Sequence, residues 1–163
     1  MKSLFVALCF VLFSIAPPKL SQVRADYSVS HGNEQLVQKL FKELSSVTKD
    51  DNLVLVAYKG AVLTAMAEHS RVKKEKKEFF KEGAGLLEYA VAKAPNNIEI
   101  RTIRLSVQEN TPRFLKYNKH MEEDRTFILQ NFKDIASAGV SAFVKGYVLQ
   151  SDGFTAAEKD SLR

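Results

Sequence analysis

Residues 53 to 67 read Leu53-Val54-Leu55-Val56-Ala57-Tyr58-Lys59-Gly60-Ala61-Val62-Leu63-Thr64-Ala65-Met66-Ala67. The first four residues have the composition of a buried strand. The run then continues through alanines and a glycine, well past the ~4–8 residues at which strands end. A helix that is apolar nearly all round belongs at the centre of a domain. The stretch therefore predicts a buried central helix, with Asp50 or Asp51 as its N-cap.

Helical spacing extends outward from this segment in both directions. Upstream, Leu36, Val37, Leu40, Phe41 and Leu44 recur at i, i+3, i+4. Asn33 is placed to cap that helix, and Glu34 puts an acid in its first turn. Residues 45–49 break the pattern, and residues 26–32, with Ser28, Ser30 and Gly32, read as a flexible lead-in. Downstream, a charged stretch from His69 lengthens the connection to a third helix. That helix carries Phe79, Phe80, Gly83, Leu86, Leu87, Ala90 and Val91, and ends at Ala94-Pro95. Asn96 and Asn97 then cap a helix over 98–110. Thr111-Pro112 opens a short helix bearing Phe114, Leu115 and Tyr117. Another helix follows from Met121 to Ala136, and Gly139 separates it from one over 140–149. Thr155 and Glu158 form a capping box before a last short helix. No strand alternation interrupts the series. The expected fold is all-α, a right-handed array of helical hairpins, with residues 26–163 as a single domain.

The N-terminus predicts export. Lys2 precedes an apolar run from Leu4 to Ala16, followed by Pro17 and Pro18. Thirteen residues fall short of the ~20 that span a bilayer, and fit the apolar core of a signal peptide. Val23-Arg24-Ala25 supplies a cleavage site before Asp26, so residues 1–25 are assigned as the signal. Ser14-Ile15-Ala16 competes, but a proline follows it. Cys9, the one cysteine, lies inside the apolar run, flanked by Leu8 and Phe10. The processed chain then has neither disulfide nor thiolate. Its charge also changes. The whole chain has 24 basic and 19 acidic residues. Without Lys2, Lys19 and Arg24 the balance is 21 against 19, a net of +2. So modest an excess does not point to nucleic acid. The expected setting is periplasmic or secreted, at a bacterial envelope, with the membrane met only through the signal segment.

One motif stands out. Gly83, Leu87, Ala90 and Pro95 give small, large, small, then proline. This resembles the second helix of a tetratricopeptide repeat, with Tyr58, Gly60 and Ala61 in the first helix of the pair. Such a unit covers residues 52–96. It implies close helix packing at Gly60, Gly83, Leu87 and Ala90, flanking helices that complete the core, and a groove for a protein partner. The stretch from Tyr58 to Phe127 is also similar to small exported proteins of Bacteroidetes-type bacteria. That resemblance rests on Tyr58-Lys59-Gly60-Ala61, Asn96-Asn97-Ile98-Glu99-Ile100-Arg101 with Arg104, Gln108-Glu109-Asn110, Pro112, Phe114-Leu115 and Tyr117-Asn118. It implies the fold and the exported setting, and no activity.

Chemistry is sparse. Arg101, Arg104 and Gln108 share one helix face. They are either an anion or carboxylate site, by paired guanidinium hydrogen bonds, or ties between helices through Glu99, Asp124 or backbone carbonyls. The basic run from Arg71 to Lys81 reads as a solvated helix end, with an acidic partner or phospholipid head groups as its functional reading. His31, His69 and His120 lack the spacing of a metal site. Glu122, Glu123 and Asp124 are acids at a helix start. Phe114, Tyr117, Phe127, Phe132, Phe143 and Tyr147 are spaced as packing residues. Neither a cofactor motif nor a nucleophile motif is present. The expected function is non-catalytic: protein–protein interaction or assembly at the envelope. The alternative is a small-ligand protein or enzyme built around Arg101 and Arg104.

Overall fold

The computed structural model describes residues 18–162. They form α1 (Leu20–Ser28), α2 (Glu34–Glu43), α3 (Leu53–His69), α4 (Lys73–Lys93), α5 (Ile98–Asn110), α6 (Met121–Asn131), α7 (Ala138–Gln150) and α8 (Ala156–Ser161). Two 3-10 turns, Arg113–Leu115 and Phe132–Asp134, complete the set, and no strand occurs among the described residues. The protein is all-helical. The apolar run from Leu4 to Ala16, with Cys9, lies outside the described residues.

Helix α3 is central, as its composition requires, with Val54 through Tyr58 and Gly60 through Leu63 all buried. Its cap is Asn52, whose side chain accepts from the Val54 N–H at 2.9 Å. Asp51, expected as the cap, instead accepts from the Thr48 backbone at 2.7 Å and its hydroxyl at 2.9 Å. It thereby closes the preceding turn.

Helices α3 and α4 meet at two glycines. A Cβ on Gly60 would lie 2.7 Å from the Gly83 carbonyl oxygen, and one on Gly83 would lie 2.5 Å from that of Gly60. Backbone rests on backbone here, which only glycine permits. Leu87 and Ala90 are fully buried in the same helix, and Pro95 follows its end. The connection is short, contrary to the sequence reading. Helix α4 already begins at Lys73, so the charged stretch is its exposed N-terminal half.

The segment expected as a flexible lead-in, residues 26–32, begins in helix, since its first three residues end α1. α1 runs through Ser28, with Val23 buried in the core. Tyr27 stacks edge-on against Tyr58, with centroids 5.1 Å apart. The expected cleavage point after Ala25 therefore falls within this helix. Gly139 does not separate two helices either. It lies in the first turn of α7, whose cap Ser137 accepts from the Val140 N–H. Asn33, Asn97 and Thr155 do cap α2, α5 and α8. The short helix expected after Pro112 is only a 3-10 turn, stopped by Lys116 in the left-handed region at φ 53°. As a result Phe114, read as a packing residue, is 79% exposed. Phe143 is buried, and Tyr117, Phe127, Phe132 and Tyr147 are partly so.

Candidate functional site

Helix α5 creates an electrostatic problem that the fold must solve. Glu99 through Gln108 are all buried, two arginines and a glutamate among them. Buried charge is tolerated only when paired and hydrogen-bonded. The solution for the arginines comes from α6. Asp124, with no exposed surface, accepts from Arg101 at 2.8 Å, from Arg104 at 2.7 Å through both Nε and Nη2, and from the Gln108 amide at 3.0 Å. One carboxylate thus spans successive turns of α5.

Further partners complete this network. Arg101 donates to the Pro95 carbonyl at 2.8 Å and to Glu123. Arg104 reaches Glu88 of α4 at 3.0 Å, and Glu88 also accepts from the Tyr117 hydroxyl at 2.8 Å. Burial works against the charge on both arginines, but the hydrogen bonds they donate, from Arg101 to Glu123 and Asp124 and from Arg104 to Asp124 and Glu88, more than offset it. Both guanidinium groups are held above their ordinary value. Among the described residues no buried side-chain nitrogen or oxygen lacks a partner. The structure brings Arg101, Arg104, Gln108 and Asp124 together. The structure adds Glu88, Glu123 and Tyr117, and closes the cluster with internal carboxylates where an external anion would have to sit.

A second cluster lies on the opposite side of α5. Glu99 accepts from Tyr58 at 2.8 Å and from Arg24 at 2.7 and 2.9 Å. Burial and the neighbouring Glu99 carboxylate push the Tyr58 hydroxyl well above its usual range. This cluster was not legible in the sequence, because Arg24 was read as part of the signal. His120 hydrogen-bonds Glu123 at 2.9 Å. Among the described residues no group of His, Cys, Asp or Glu is arranged to hold a metal ion, and no helix is long and apolar enough to cross a membrane.

What remains open is a groove of about 1680 Å³ walled by α1, α3, α4, α5 and α7. Small residues shape its walls: Ala61, Ala65, Ala84, Ala142 and Gly146. Aromatic rings of Tyr27, Phe80, Phe143 and Tyr147 face into it. Three exposed large apolar residues line the same groove: Phe114 at 79%, Val29 at 66% and Leu115 at 41%. The α4 residues in its wall, Lys73, Lys76, Lys77, Phe80, Lys81 and Ala84, follow helical spacing. His31 and His69 also line it. The sequence reading missed this site, since its walls come from helices spread along most of the chain.

No protein-family model matches the chain. No curated protein matches it, and no solved structure does either.

Proposed function

We propose that this is a non-catalytic binding protein that acts in assembly at a bacterial envelope, its groove taking an elongated apolar segment of a partner protein. The observation that carries this reading is the position of Phe114, Leu115 and Val29. Exposed large apolar residues gathered at one concave place mark an interaction site. The groove volume of about 1680 Å³ also exceeds the ~300–1,000 Å³ typical of small-molecule pockets. The close glycine packing of α3 on α4, with Pro95 after it, supports the likeness to a tetratricopeptide unit, and helical repeats use concave surfaces to bind. Lys2 and the apolar run from Leu4 to Ala16 support export. A ligand site at Arg101 and Arg104 is disfavoured, because internal carboxylates already occupy both guanidinium groups.

The test is site-specific photo-crosslinking in the protein's own cells. A crosslinker at Ala142, on the groove wall, is expected to trap one protein, identified by mass spectrometry, in an adduct that Phe114→Ala abolishes. A crosslinker at exposed Lys133, outside the groove, should trap none of it. No protein adduct at Ala142, or equal yields at both sites, would refute the reading.

A further inference from the structure

We infer that the groove's occupant is an acidic amphipathic helix of a partner protein. The inference rests on the binding reading above and assigns the chemistry of the partner. It starts from how charge is distributed on α4. Lys73, Lys76, Lys77 and Lys81 fall on the face that walls the groove, together with Phe80 and Ala84. The acids Glu75, Glu78 and Glu82 fall outside it. Glu78 pairs with Lys74, also off that face, at 3.9 Å, and Glu75 accepts from Ser70 at 2.8 Å. In its N-terminal half, α4 thus turns four of its five lysines toward the groove and its acids away.

The lysines of that face are available. Lys76 makes one long bond, 3.4 Å, to the Glu68 carbonyl. Lys73, Lys77 and Lys81 have no ion pair among the described residues. These four lysines outnumber the three acids of the lining. Glu68, Glu109 and Asp152 are the lining acids, and among the described residues none forms an ion pair with these lysines; Glu109 instead accepts from the Tyr147 hydroxyl and, at 2.8 Å, from Ser151. A partner lying in the groove meets an apolar floor and one cationic wall. That combination selects an apolar stripe flanked by carboxylates, an amphipathic helix in a groove.

Size permits it. The groove volume of about 1680 Å³ is large enough for a helix of several turns about 10 Å across. An anionic bilayer would use the same lysines, but it presents a flat surface and leaves recessed residues such as Ala61 and Phe143 uncovered.

The test uses the purified full chain and two labelled peptides of about 14 residues, built as amphipathic helices. They share one leucine stripe, flanked by glutamates in one and by lysines in the other. Fluorescence anisotropy gives their affinities. The acidic peptide is expected to bind at least about ten-fold tighter, as a few exposed ion pairs together allow. Added salt should shrink that preference. The triple variant Lys73→Glu, Lys77→Glu, Lys81→Glu should reverse it. These positions are exposed, and circular dichroism checks that the variant folds. Equal, Phe114-dependent binding of both peptides overturns the charge assignment and leaves the groove reading standing. Binding of neither peptide, together with no adduct at Ala142, removes both. Lysine-dependent binding to phosphatidylglycerol vesicles with no peptide binding replaces the helix by a membrane.

Discussion

Asp124 is the residue on which most of the buried charge in α5 depends. Replacing it with Asn leaves Arg101 and Arg104 facing each other without their shared carboxylate. Breaking a buried pair costs about 3–5 kcal/mol, a large share of the ~5–15 kcal/mol that holds a domain together. Urea unfolding of Asp124→Asn should show a loss in that range, with the m-value unchanged. A neighbouring acid controls the pH response. Hydrogen bonds from Arg101 and then His120 hold the Glu123 carboxyl below its ordinary value, and Lys39 does the same for Asp26. A carboxylate whose folded-state value is depressed contributes stability above its unfolded value and loses it as pH falls through the folded one. The melting temperature should therefore be level from about pH 7 to 5 and fall below about pH 4.3, the unfolded glutamate value. A melting curve flat to pH 3 would show that these pairs contribute nothing. At this scale the sequence was partly readable. Arg101, Arg104 and Gln108 share a face that spacing alone reveals. Glu88 and Tyr117 do not, because Glu88 reaches Arg104 from α4, and Tyr117 reaches Glu88 from the coil after Leu115.

The α3–α4 pair makes the sharpest claim about elements. A methyl group on Gly83 would meet the Gly60 oxygen at 2.5 Å and Thr64 at 2.9 Å, and neither backbone can give without moving a helix. Gly83→Ala should destabilise by about 1–3 kcal/mol, the usual cost of overpacking. Gly85, two residues on, has nothing within 4 Å of its would-be Cβ. There the helix preference decides, and Gly85→Ala should stabilise by about 0.5–1 kcal/mol. Thermal denaturation of the two variants separates packing from propensity, and a like sign for both would refute the glycine crossing. This element was legible because small residues recurred at helical spacing within one continuous stretch. The caps Asn33, Asn97 and Thr155 were legible for a similar reason: a cap acts within four residues of itself. α1 was not. Its apolar face is little more than Val23 and Tyr27, and its role depends on Glu99 and Ser106, far along the chain. Gly139 misled because glycine near a helix start is tolerated when a serine cap precedes it.

For the whole molecule, the start of the folded unit is the point that matters. The described residues contain no cysteine, so the core carries the stability unaided by a disulfide. α1 contributes Val23 to that core and Arg24 to Glu99. A chain starting at Asp26 loses both and leaves Glu99 buried with Tyr58 as its remaining hydrogen-bond donor. It should unfold at least about 3 kcal/mol more easily than a chain starting at Lys19, the low end for an orphaned buried charge. Equal unfolding midpoints would show that α1 is dispensable. The Arg24–Glu99 bond joins residues 75 positions apart, and this separation sets a clock. At roughly 5–20 residues per second of synthesis, Glu99 emerges about 4–15 s after Arg24. Until then the first helix has only α2 and α3 to pack against, and the peptide bond after Ala25 is more open to a peptidase that needs extended chain. Afterwards the bond is locked inside a packed helix. A peptidase acting there would discard Arg24 only if it cut before this fold was complete.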